Sequence, residues 1–157
     1  MGRLNLVAVD SSQHSDRAFT WYIENYHREG DTLGIVHIHQ LPSLPAMGLY
    51  AGGAVLSEGY QMMVNESVEQ SKTVADKYIE QCKEKNIKHV LFLQTAENDA
   101  GQTIVKIARE NNANTLVMGS RGLGTVRRTL LGSVSDYVLH HAHIPTCVIP
   151  PTIEEAK

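Results

Sequence analysis

Three glycines and a serine stand at spacings that suit an anion. Gly119-Ser120-Arg121-Gly122 is followed, after nine residues, by Gly132-Ser133. The segment leaves an apolar run, Leu116-Val117-Met118, and enters a helical pattern at Ser133-Val134. Glycine reaches positive φ and carries no Cβ, so backbone N–H groups can approach a bound oxyanion closely. The helix start adds unpaired donors and the positive end of the macrodipole. Ser133, Val134 and Ser135 occupy that first turn, and Ser133 reads equally as a plain N-cap. Arg121, Arg127 and Arg128 add positive charge in or beside the loop. A phosphate cradle follows from this arrangement, and a nucleotide is the first ligand to test.

Asp10 is the second candidate. It ends the apolar run Leu4–Val9 and precedes Ser11-Ser12-Gln13-His14-Ser15. It reads either as a cap for the following helix or as a ligand contact at a strand end. The eight histidines give no metal pattern, although His37 and His39 share one face of a strand. No Cys or carboxylate stands at ligand spacing beside them, so no metal site of the chain's own is expected. Other nucleotide motifs fail: no Gly-Lys dipeptide exists for a P-loop, and Gly122-x-Gly124 lacks the third glycine of a dinucleotide fingerprint.

The elements that must position these residues alternate. Apolar runs at 4–9, 33–39, 89–93, 114–118 and 146–149 read as strands, nearly continuous as in a doubly covered parallel sheet. Helical spacing links Ala18, Phe19, Tyr22, Ile23 and Tyr26, with Arg28 on the opposite side and Gly30-Asp31 as the stop. A long helix carries Val64, Val68, Ala75, Ile79 and Cys82. A third follows Asn98-Asp99 with Ala100, Ile104, Ile107 and Ala108, and a fourth runs from Ser133 to about His141. Pro42, Pro45, Gly48, Gly52, Gly53 and Gly59 mark residues 41–59 as a long loop. Such alternation predicts a single α/β domain over 1–157 with a parallel sheet and helices on both faces.

Bulk properties narrow the function. A net charge of −3 leaves no basic footprint for nucleic acid. No apolar run approaches the ~20 residues of a membrane span. The first residues enter a strand without a signal-peptide pattern. Cys82 and Cys147 lack paired spacing, so buried free thiols in a reducing cytoplasm are expected.

The spacing Gly-x2-Gly-x9-Gly-Ser resembles the signature of the ATP-binding branch of the universal stress protein family. Val7-Ala8-Val9-Asp10 with Ser12 and Ser15 resembles the family's first strand and turn, and Ile144 to Pro150 its closing strand. The resemblance implies a doubly wound five-stranded sheet in order 3-2-1-4-5, with a crevice where strands one and four diverge. It implies ATP or AMP as ligand, with Mg2+ reaching Asp10 only through the nucleotide. Ala8, Val9, Asp10, Ile38, Met118, Gly119, Arg121, Gly122, Gly132, Ser133, Val134 and Ser135 become the nucleotide-binding set. It implies a homodimer through strand 146–149, whose bare edge would otherwise be an aggregation liability. The expected role is regulatory binding in a stress response. A slow Mg-dependent ATPase, or an interaction module with a vestigial site, is the alternative. No catalytic residue is assigned, because a site that only holds phosphates gives affinity and not rate.

Overall fold

The computed structural model describes residues 2–41, 53–96, 99–120 and 131–152. In chain order these form β1 (Leu4–Ala8), α1 (Gln13–Asn25), β2 (Thr32–His39), α2 (Gly53–Glu84) and β3 (His89–Thr95). They continue as α3 (Ala100–Glu110), β4 (Thr115–Gly119), α4 (Ser133–His141) and β5 (Thr146–Ile149). The strands make one parallel sheet in the order β3-β2-β1-β4-β5, as expected. No described helix is long and apolar enough to cross a membrane.

Side chains alternate across each strand, so one sheet builds two cores. Leu6, Ala8, Val36, Leu116 and Met118 face α3 and α4, meeting Ile104, Ile107, Ala108 and Val138. Val7, Val9, Leu33, Ile35 and Val117 face α1 and α2, meeting Phe19, Tyr22, Tyr78 and Cys82. Phe19, Tyr22 and Tyr78 are wholly buried, and each large side chain so placed stabilises the fold by roughly 1.5–3 kcal/mol. Burial pushes the Cys82 thiol up to about 11, which keeps it un-ionised. Cys147 is also a free thiol, half-buried rather than buried.

Several boundaries differ from the sequence reading for physical reasons. Helix α1 stops at Asn25, short of Arg28, because the Tyr26 and His27 N–H groups both turn onto the Tyr22 carbonyl. The Asp31 carboxylate then accepts the Arg28 N–H, and the chain turns into β2. Residues 53–59 are helical rather than loop, so Gly53 and Gly59 do not break the chain. Gly59 faces open space, where its propensity cost of about 1 kcal/mol is spread over a helix of 32 residues. The rest of the expected loop, 42–52, lies outside the described residues. Along α2 the buried positions are Ser71, Ala75, Tyr78 and Cys82, whereas Val64, Val68 and Ile79 are only half-buried. β3, at the sheet's edge, runs two residues beyond Leu93.

β1 lies between β2 and β4, and the winding reverses at the β1–β4 pair. Crossovers to one side carry α1 and α2, and those to the other carry α3 and α4. Diverging connections leave a crevice outside the carboxyl ends of these two strands. Asp10 and Gly119 stand at its two lips.

Candidate functional site

A cleft of about 910 Å3 occupies that crevice, toward the upper end of the ~300–1,000 Å3 typical of small-molecule sites. One wall belongs to the α3/α4 side of the sheet and holds Ala8, Val36, Ile38, Met118, Ala100 and Ile104. It is apolar and suits a flat heteroaromatic ring. Gly132, Ser133, Val134 and Ser135 close this side.

The α4 N-terminus is arranged differently from a self-capped helix. Its N-cap is Gly132, with extended φ −63° and ψ 153°, and no side chain caps it. Ser133 is the first helical residue, so the capping role open to it in the sequence is not the one it has. The Ser135 hydroxyl is buried and donates back to the Gly132 carbonyl at 2.9 Å. The N–H groups of the first turn are therefore left for solvent or an anion. Gly119 has its own constraint, since a Cβ there would lie 2.4 Å from the His14 carbonyl oxygen. Only glycine lets β4 end against the start of α1.

Asp10 is not the cap of α1. That role falls to Ser12, whose Oγ accepts the Ser15 N–H. Asp10 instead organises the turn before the helix. Its Oδ1 accepts from the Ser12 N–H at 2.8 Å, from the Ser15 hydroxyl at 2.7 Å, and from the Ser12 hydroxyl. Ser15 Oγ in turn accepts the Asp10 N–H at 2.9 Å. Tyr78 reaches over from α2 and donates to the Asp10 carbonyl at 3.2 Å and to Asp16 Oδ1 at 2.7 Å. Burial, and the Asp16 carboxylate beside it, push the Tyr78 phenol far up, so it remains a donor. The strand-end carboxylate is thus held by α1 directly and by α2 through the backbone.

The opposite wall, Val9 apart, lies outside the set expected from the sequence. It holds Val9, His37 and His39 from the sheet, His14 and Ser15 from α1, and Ser67, Gln70, Ser71 and Val74 from α2. His37 Nδ1 lies 2.8 Å from the Val9 carbonyl, an acceptor, so this nitrogen carries the proton. His39 Nδ1 lies 2.8 Å from Ser71 Oγ. His39 Nε2 and His14 Nδ1 are buried without a hydrogen-bond partner, an omission costing roughly 1–3 kcal/mol each when left unfilled. A signal for this wall existed in β2, where Leu33 and Ile35 give way to His37 and His39 on the same face.

Of the sequence-predicted set, the cleft gathers Ala8, Val9, Asp10, Ile38, Met118, Gly119, Gly132, Ser133, Val134 and Ser135. Arg121 and Gly122, with Arg127 and Arg128, lie outside the described residues.

Among known proteins the chain has clear relatives. The chain is 29% identical to the universal stress protein PHOS34 of Arabidopsis thaliana, with 91% of this chain and 60% of that protein covered. It is 32% identical to a universal stress protein of Mycolicibacterium smegmatis, covering 92% of this chain and 47% of the relative. The chain therefore spans about half to three fifths of the length of these two relatives. Among solved structures, the Arabidopsis thaliana family protein At3g01520 with AMP bound superposes with a TM-score of 0.69 at 18% identity, over 99% of this chain and 95% of the other. The Archaeoglobus fulgidus universal stress protein in complex with dAMP gives 0.64 at 22%, over 94% and 97%. At these identities the superpositions speak for the fold. The universal stress protein family model matches residues 5–150, and the chain belongs to that family.

Proposed function

We propose that the chain binds an adenine nucleotide, AMP or ATP, between Asp10 and the β4–α4 connection. One observation carries the reading: the uncapped N-terminus of α4 and the Asp10 turn line the same cleft, beside an apolar slot. The slot takes the base between Ala8, Ile38 and Met118, with Val9 behind. Asp10 meets the ribose, or Mg2+ carried in by ATP. Gly119, Gly132, Ser133, Val134 and Ser135 take the phosphates, with Arg121 and Gly122 assigned to the same cradle. Support comes from the AMP and dAMP held by the two superposed relatives.

In this reading residues 1–157 act as one domain that holds the nucleotide as a regulatory ligand of a cytoplasmic stress response. The site offers uniform binding of phosphates rather than a route to hydrolysis. The chain dimerises by antiparallel pairing of β5 with its copy across a two-fold axis. β5 stands at the sheet edge, is half-buried along its length and is flanked by Pro145 and Pro150. Val148→Lys should give a folded monomer in light scattering. A wild-type monomer at tens of micromolar removes the dimer.

Releasing bound small molecules from gently purified protein by denaturation, and weighing them, tests the ligand. An adenine nucleotide at near one per chain is expected. Protein that carries none, and takes up none on incubation with AMP or ATP, rejects the reading.

A further inference from the structure

Apart from Val9, one wall of the cleft has no group assigned to the nucleotide in the proposed reading. On the α1/α2 face of the sheet, β2 runs Leu33, Ile35, His37, His39, apolar below and polar above. Facing it, α2 runs Cys82, Tyr78, Val74, then Ser71, Gln70 and Ser67, with the same change at the same level. Two separate elements switch to polar residues where they meet the cleft. Of these polar residues His37, His39 and Ser71 are buried, where a polar group is unfavourable unless it finds a partner. His39 is 5% exposed and its Nε2 has none. His14 Nδ1, beside Gly119, is in the same state.

The chemistry of the wall selects its ligand. Asp10 is the only Asp, Glu, Lys or Arg among the described residues lining the cleft, and it stands at the lip between the two walls. A second phosphate would therefore find no lysine or arginine among them. A metal ion would lack a full ligand set, since no trio of His, Cys, Asp or Glu gathers among the described residues. Serine hydroxyls and the Gln70 amide both donate and accept, and the His37 ring commits its Nδ1–H to the Val9 carbonyl. Groups of that kind match a cluster of hydroxyls, each of which also donates and accepts.

We propose that this wall is a second subsite for an uncharged, hydroxyl-rich group, so that the cleft takes a nucleotide whose terminal phosphate carries a sugar. His39, Ser71 and Gln70 bind the hydroxyls, and His14 stands at the passage from the phosphate cradle past Gly119. The proposal rests on the nucleotide reading above, and the test separates the two. ADP and ADP-ribose share every group except the terminal ribose. In titration calorimetry, ADP-ribose should bind the wild-type protein on the order of tenfold tighter than ADP, the return on one or two added hydrogen bonds. His39→Leu and, more gently, Ser71→Ala should erase that advantage while ADP still binds each variant. ADP-ribose binding no tighter than ADP overturns the subsite and leaves the nucleotide reading standing. An advantage that survives both substitutions also overturns it. Failure of both ligands to bind the wild-type protein overturns the nucleotide reading and the subsite with it.

Discussion

The two ends of the sheet treat buried polar groups in opposite ways. At the amino end, Asp31 is buried and accepts from three residues, Arg3, Asn5 and Arg28. Arg3 reaches it through Nε at 3.0 Å and through Nη2, Asn5 Nδ2 at 3.1 Å, and the Arg28 N–H at 3.2 Å. Asn5 also donates to the Tyr22 hydroxyl, which meets His27 Nδ1 at 3.0 Å. Apart from Asn5 Oδ1, this cluster is internally paired. At the carboxyl end, α4 has no side-chain cap and two histidines keep buried nitrogens unpaired. The sheet is the same, so the difference lies in what each end is for. Pairing that is nearly complete without a ligand locks strands together. In the proposed reading, pairing left incomplete is capacity to bind, held at some cost in stability.

That contrast breaks if substitutions at the two ends behave alike. The largest effect is expected from Asp31→Ala, which removes the buried acceptor shared by Arg3, Asn5 and the Arg28 N–H and should destabilise by about 3 kcal/mol. Chemical denaturation should show the loss, and nucleotide affinity should stay within error. A fall in affinity as large as the fall in stability would mean the two ends are not separable.

Asp10→Ala is the mirror experiment. It should weaken nucleotide binding by on the order of 1–3 kcal/mol and lower Tm only modestly, since Ser12 retains the cap of α1. Equal affinity with a large drop in Tm would make Asp10 an organiser of the turn and nothing more.

Acid titration sharpens the same point with a smaller effect. The Arg3 side chain hydrogen bond, and then the backbone N–H groups of Arg3 and Arg28, hold the Asp31 carboxyl below its usual range despite burial. A depressed carboxylate adds stability above its unfolded pKa, near 3.9, that disappears as pH falls through the folded value. The wild-type protein should therefore lose stability below about pH 4 more steeply than Asp31→Asn. Identical acid limbs in the two proteins would show that the pair adds nothing.

What could be read from the chain follows the same division. Strand ends and glycines are local, so Asp10, Gly119 and Gly132 were placed by pattern and fell together at the β1–β4 divergence. Helix α2 was less legible because its inner face is mixed. Ser71 and Tyr78 are buried there while Val64 and Val68 are not, and hydrophobic spacing alone ranks them the other way. His37 and His39 were visible as a pair on one face, yet what opposes them is decided by a helix more than thirty residues later in the chain. Gly53 and Gly59 read as loop because nothing local offsets glycine's poor helix propensity, whereas a helix of 32 residues absorbs them. The cap of α1 turned on which of Asp10 and Ser12 reached the Ser15 N–H, a choice that composition leaves open.

In the proposed reading the carboxyl end of the sheet holds an adenine nucleotide against the start of α4, where no side chain caps the helix. Calorimetric titration of AMP into the wild-type protein and Gly132→Val tests it most directly, with circular dichroism confirming that the variant folds. The account predicts saturable binding at about one site per chain in the wild type, and none measurable once a branched side chain stands beside the α4 donors. Binding to Gly132→Val within about twofold of wild type, a difference of less than half a kcal/mol, would contradict it.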